Sequence, residues 1–264
     1  MSTGKDTWRK PPFISHPGLR YGLYIAVSIY VVLTLATLPI DWDRVSDGMR
    51  RAQRIFSGAF PPNFDRSGLL IDGFLESLKI AILATVGGIT LSVPLAFMAA
   101  SNISIKPIYL IGRSIIIVAR SFHPVIVAII FVKAVGFGPF AGALTLVVYS
   151  IGFVAKLLAE RIEEIDFGQV EAMRSCGAGF LSTLVYAVVP QIMPRLVGLG
   201  IYQLDSNLRA SAVVGIVGAG GIGATLANAF GRYDYDFALA ITMVIVGAIL
   251  VSEAVSGLVR KRIA

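Results

Sequence analysis

Six long apolar runs dominate the chain, and polar stretches separate them. Residues 21–40 carry no charge over 20 positions; as a helix they would extend about 30 Å, enough to span a bilayer's hydrocarbon core. A signal peptide is the rival reading, but its apolar region would be roughly 7–15 residues and followed by a small-residue cleavage site. Here Pro39-Ile40-Asp41-Trp42 follows, so a retained first helix is expected. Further runs cover residues 80–100, 113–135, 140–159, 196–217 and 237–259. The run at 80–100 contains Gly87, Gly88 and Pro94, and the run at 113–135 is interrupted by Arg120, His123, Pro124 and Lys133. Turns are expected at 101–106 and 135–139. In the polar connection 41–72, Trp42, Val45, Met49 and Phe56 fall at helical spacing opposite Arg50, Arg51 and Arg54. That pattern fits a short helix on the membrane surface, or an ordinary amphipathic loop helix.

The polar stretch at 160–195 stands apart, holding Glu160, Arg161, Glu163, Glu164, Asp166, Glu171, Arg174 and Arg195 between two spans. So much charge in so apolar a chain implies a surface in water, shaped to meet another protein. Composition supports the membrane class: 56% of residues are hydrophobic and 15% charged, against about a quarter charged in soluble domains. Cys176 is the lone cysteine, and His16 and His123 are the only histidines. That excludes an intramolecular disulfide, a cysteine-based metal site and a histidine cluster. The net charge of +7 is explained by basic flanks of membrane spans rather than by nucleic acid. With the N-terminus inside, the cytoplasmic side takes thirteen Lys and Arg and the outer side seven, which favours cytoplasmic termini and a cytoplasmic 160–195 loop. The first outer loop, with five arginines, runs against that pattern.

Within the loop, Glu171-Ala172-Met173 is followed by Gly177 and then, thirteen residues later, by Pro190. This resembles the cytoplasmic signature of ABC importer permeases, E-A-A-x3-G-x9-I-x-L-P, with Met173, Ala187 and Val189 as apolar departures. A short helix ending near Gly177 would present Glu171 and Arg174, because glycine adopts the left-handed conformation cheaply. The resemblance implies a coupling helix, with Glu171, Ala172, Met173, Arg174, Gly177 and Pro190 as the ATPase-coupling set. Three further stretches look like the phosphonate-uptake permease family, which includes phosphite importers. They are Ala119-Arg120-Ser121-Phe122-His123-Pro124, residues 136–142, and residues 208–223. That resemblance covers roughly residues 73–259. Methionine importers share part of the pattern.

Other constellations are weaker. Gly218, Gly220 and Gly223 spell a nominal dinucleotide fingerprint, but Asp234 and Asp236 come too early and no βαβ unit surrounds it. With Gly221 they are read instead as a flexible or re-entrant turn at the outer mouth. Asp205, Asn207, Arg209 and Ser211 lie inside the fifth span, where charge normally faces protein or a water-filled path. Asp205 and Arg209 are four apart, so they can pair or line a path; Arg120 and Ser121 are further path candidates. Arg113 and Arg120 share one helix face and would meet Glu171, lipid phosphate or the path. No Ser/His/Asp set, Walker motif or carboxylate dyad is present, so no catalytic residue is assigned.

The expectation is an all-α integral membrane protein with six transmembrane helices, like a type I ABC importer permease, with a cytoplasmic coupling helix. Residues 1–20 would form a cytoplasmic segment and 21–72 the first span and outer loop. Residues 73–259 would form the permease domain, and 260–264 a cytoplasmic tail. The resemblance implies a non-enzymatic subunit in the bacterial inner membrane that imports phosphonate, phosphite or a related phosphorus oxyanion. Its partners would be a second copy of itself, a cytoplasmic ATPase dimer, a periplasmic or lipid-anchored solute-binding protein and membrane lipid. ATP and Mg²⁺ would belong to the ATPase, with no cofactor or metal on this chain. The alternatives are a methionine-type or other small-solute permease, or an ATP-independent carrier or channel.

Overall fold

The computed structural model of the chain describes residues 16–38 and 41–263, and all regular elements among them are helical. The first 15 residues of the expected cytoplasmic segment lie outside the described residues. The chain divides into two compact units between Arg54 and Ile55. No residue of helix α1 (Pro17–Thr37) is buried. Helix α2 (Trp42–Ala59) keeps Trp42, Val45, Met49 and Phe56 exposed. Its polar side is laced by the Arg50–Asp47 pair at 2.9 Å.

The second unit contains α3 (Ser67–Met98), α4 (Lys106–Ser121), α5 (Pro124–Val135), α6 (Pro139–Glu163) and α7 (Phe167–Ser175). A short α8 (Phe180–Thr183), a π-helical turn (Leu184–Val188) and α9 (Val189–Ile216) follow without a break. Helices α10 (Ile222–Gly231) and α11 (Tyr235–Ile263) close the chain. Among the described residues, five helices are long and apolar enough to cross a membrane, and α4 with α5 makes a sixth if that bent pair is one span.

Each of the six apolar runs is therefore largely helical among the described residues; the first ends at Thr37, with residues 39–40 outside them, and three others differ in extent from the sequence reading. α3 has 32 residues, about 48 Å, and begins well before residue 80. The expected boundary at 72/73 falls inside it, and it carries Asp72, Glu76 and Lys79 beyond the apolar run. The third span is two helices bent by 92°. Pro124 disfavours helical backbone at His123, which is extended and instead caps α5 by accepting the Val125 N–H at 3.3 Å. The fifth span starts at Phe180 rather than Leu196. Thr183, Ala187, Val188 and Ile192 keep one buried face through the polar stretch. The helix accommodates Pro190, which has no N–H to donate, by widening to π geometry just before it. At the other end, the expected tail boundary at 259/260 falls inside α11, and α10 was not foreseen.

α3 packs chiefly on α6 through small residues. Gly73, Ser77, Ala81, Ala84, Gly88 and Ala96 face inward on α3, and Ala141, Gly142, Ser150, Gly152 and Ala155 on α6. A Cβ at Gly88 would collide with the Ser150 side chain, so glycine sets how closely the two helices approach. Three apolar clusters follow the α3 axis: one around Leu70, Ile222 and Ile241, one around Ile80, Leu146 and Val214, and one around Ala99, Leu158, Val170 and Ile192.

A buried polar network joins α3, α6 and α9 beside these clusters. Asn207 Nδ2 donates to Thr85 Oγ1 and Ser150 Oγ, both at 2.9 Å, and Gln203 Nε2 donates to Asn207 Oδ1 and Ser150 Oγ, both at 3.0 Å. Gln203 Oε1 is buried with no partner. Asn207→Ala is therefore expected to lower stability by about 1–2 kcal/mol, since it strips partners from three buried groups. Gln203→Met, which also removes an orphaned acceptor, is expected to cost less. Thermal unfolding of the detergent-purified protein checks the order; a larger loss for Gln203→Met would refute it.

Candidate functional site

At the α7 end, each terminus of that short helix has its own stop signal. Asp166 caps the start, its carboxylate accepting the Gly168 N–H at 2.9 Å. At the other end the Gly177 N–H reaches the Arg174 carbonyl at 2.9 Å and the Ala178 N–H the Met173 carbonyl at 3.1 Å. This is a Schellman cap with Gly177 at φ +79°. A Cβ at Gly177 would meet nothing within 4 Å, so backbone conformation rather than space requires the glycine. Val170 is buried and Met173 packs beside it against the core of α6 and α9, while Glu171, Ala172 and Arg174 are exposed. Of the six residues in the expected coupling set, Glu171, Ala172, Arg174, Gly177 and Pro190 are exposed, and Met173 is half-buried.

Two structures fix the base of this loop. Gln191, one residue beyond the exposed Pro190, receives the Asp166 N–H on Oε1 at 2.8 Å and returns Nε2 to the Asp166 carbonyl at 3.2 Å. Arg113 donates to both Glu163 oxygens at 2.9 Å and through Nε to the Ala99 carbonyl at 2.9 Å. Glu163 also accepts the Ser101 N–H at 2.8 Å. Arg113 therefore meets Glu163, not Glu171 as the sequence reading allowed. Within the acidic run, Glu163 and Asp166 hold the ends of helices. Glu160, Arg161, Glu164 and Arg195 line an open cavity of about 440 Å³ beside it.

The residues proposed for a path divide by location. Arg120 and Ser121 are exposed at the α4–α5 bend, and Ser121 Oγ donates to the Ile117 carbonyl at 2.8 Å. Arg209 pairs with Asp205 at 2.9 Å, and Ser252 of α11 donates to the same carboxylate at 2.8 Å. Asn207 and Ser211 are fully buried; Asn207 belongs to the inter-helix network and Ser211 Oγ donates to the Leu208 carbonyl at 2.7 Å. Neither lies on an open surface of this chain, because its polar atoms are used between or within helices.

The glycine turn after α9 is packed rather than loose. Gly218, Gly220 and Gly221 have φ of +95°, +78° and +74°. Gly223 is pressed against the Ala212 carbonyl, and the Ile222 N–H donates to Ser77 Oγ of α3 at 2.9 Å. Helix α10 follows it, but no strand precedes it among the described residues, which removes the setting a dinucleotide fingerprint needs. The sequence reading allowed a flexible or a re-entrant turn; in the structure left-handed backbone and close contact require these glycines.

Sequence reasoning missed Gln191, Glu163 as the partner of Arg113, and Gln203 with Thr85 and Ser150. Gln203 lies four residues before Asn207, hence on its face, and was the one readable signal; the other partners are 50 or more residues apart, or, for Gln191, 25.

Comparison with known proteins adds the wider context. The family described as "Binding-protein-dependent transport system inner membrane component" matches residues 92–264. The chain is 44% identical over 211 residues to the phosphate-import permease protein PhnE of Mycolicibacterium smegmatis, across 79% of this chain but 40% of that protein. It thus spans less than half the length of that relative. It is 34% identical over 259 residues to the phosphite transport system permease protein PtxC of Stutzerimonas stutzeri, across 98% of this chain and 91% of that one. In fold it is similar to the MetNI methionine ABC transporter in inward-facing conformations, with a TM-score of 0.67 at 21% identity over 76% of this chain and 99% of the other.

Gly177→Ala and Gln191→Ala are each expected to loosen α7 by about 1 kcal/mol, through backbone strain and through lost hydrogen bonds respectively. Hydrogen exchange of the α7 amides should accelerate about fivefold in either variant. Unchanged protection would mean that neither device holds the helix.

Proposed function

Since the chain belongs to the family of binding-protein-dependent transport system inner membrane components, we propose that it is the permease subunit of an ATP-driven importer for phosphonate, phosphite or a related phosphorus oxyanion. Two copies would enclose a path, and a solute-binding protein would deliver the anion on the outer side of the bacterial inner membrane. The α7 end would face the cytoplasm and meet a separate ATPase, which would carry the ATP and Mg²⁺. The observation that carries this reading is α7 itself. It is pinned to the core by Val170 and Gln191, capped by Gly177, and leaves Glu171 and Arg174 free to meet a partner. A helix fixed on one face and open on the other passes a push into the bundle instead of absorbing it. The substrate class is supported by the oxyanion permeases to which the chain is similar.

Glu171→Arg is expected to remove solute-stimulated ATPase activity in the assembled complex, because it reverses the charge of the exposed face without touching the buried one. Gly177→Pro is expected to do the same by breaking the cap, while the subunit still inserts. Full coupling in both variants would sink the role given to α7. Purification of the chain should bring down an ATPase subunit; a carrier that works without ATP would bring down none. Binding of phosphonates, phosphite and methionine to the cognate solute-binding protein checks the substrate class, and methionine alone binding would replace it.

A further inference from the structure

The bend between α4 and α5 carries a cation whose charge no neighbour balances. Arg113, Lys156 and Arg209 each face a carboxylate, Glu163 at 2.9 Å, Glu160 at 3.5 Å and Asp205 at 2.9 Å. The Arg120 guanidinium has no carboxylate or hydrogen-bond partner among the described residues. It stands near the end of α4, about 21 Å along the helix from Lys106. An uncompensated cation within a membrane span is costly, so such a group faces water or an anion.

Its position is fixed by α6. A Cβ at Gly152 would come within 2.8 Å of Arg120 Cγ and 3.2 Å of its backbone nitrogen. Two cavities flank the guanidinium. One of about 450 Å³ lies in the bend, with His123, Tyr149 and Phe153 on its walls. The other, about 330 Å³, leads toward Arg113 and Lys156. The N–H groups that open α5 are already used: Pro124 has none, and His123 takes those of Val125 and Ile126. The Ser121 hydroxyl is spent on Ile117. The Tyr149 hydroxyl has only a 3.5 Å contact with Ser206. His123 accepts through Nδ1, which puts the proton of the neutral ring on Nε2.

We infer that this bend is a subsite for a tetrahedral oxyanion, with Arg120 as its charge partner and the Tyr149 hydroxyl and His123 Nε2–H as its hydrogen-bond donors. The inference rests on the phosphorus-oxyanion reading above and gives the permease a selectivity of its own. The fixed positive charge of the guanidinium is what such an anion needs beside it, and a lysine ammonium supplies the same charge as a point. No Asp or Glu lines either cavity, so the ammonium of an amino acid would find no partner there.

The test is uptake of phosphite, methylphosphonate, inorganic phosphate and L-methionine by proteoliposomes holding the complete complex. Arg120→Gln is expected to cut oxyanion uptake about tenfold or more, Arg120→Lys to stay within about threefold of wild type, and Tyr149→Phe to lose about threefold. Rescue by lysine separates a charge role from a packing role. Wild-type uptake by Arg120→Gln overturns the subsite and leaves the substrate reading standing. Where Arg120→Gln does not assemble, wild-type uptake by Tyr149→Phe together with none by Arg120→Lys overturns it equally. A wild-type complex that carries methionine and no oxyanion overturns the substrate reading, and the subsite with it.

Discussion

Close approach of α3 and α6 is the constraint on which the second unit depends. Lipid tails are as apolar as the helices, so burial in the membrane supplies no drive for helices to associate, and contact has to come from fit and from polar pairs. Glycine supplies the fit. Gly88 admits Ser150, Gly142 admits the Ala219 carbonyl of the turn after α9, and Gly112 lets α4 rest on the backbone at Met98 and Ala99. A methyl group would meet the Ser150 side chain at Gly88, a turn carbonyl at Gly142 and the helix backbone at Gly112, so each neighbour would have to shift. The polar network of Thr85, Ser150, Gln203 and Asn207 then fixes register beside the Gly88–Ser150 contact.

Charge is distributed with the same economy. Where a cation holds structure, a carboxylate answers it: Arg113 with Glu163 ties α4 to the end of α6, and Asp205 links Arg209 to Ser252 of α11. Arg120 has no such carboxylate, and among the described residues it stands where α4 and α5 are bent by 92°. Bent backbone at membrane depth is tolerated where it is covered by protein or lines a cavity, and here it does line one.

The apolar runs were legible because lipid demands them, and each is largely helical among the described residues. Their limits were less legible, because charge was taken as the end of a span. Glu76 and Lys79 sit within α3, and the polar residues around Gln191 within the helix that starts at Phe180. The Glu171–Gly177 helix could be read locally, since a Schellman cap is written in one glycine and its neighbours. Asn207, read as facing protein or a water-filled path, is buried among α3, α6 and α9; its answering groups lie 122 and 57 residues away and leave no mark in its own segment. The glycine turn was ambiguous for a related reason: glycines chosen for tight contact look, in a sequence, like glycines chosen for freedom.

The Gln191 clamp closes residues 166–191 into a ring at its base. The helix within that ring is thereby attached to α6 and α9 together rather than hanging from either one. A displacement of the exposed Glu171 face is therefore shared between α6 and α9 instead of being taken up by a single connection.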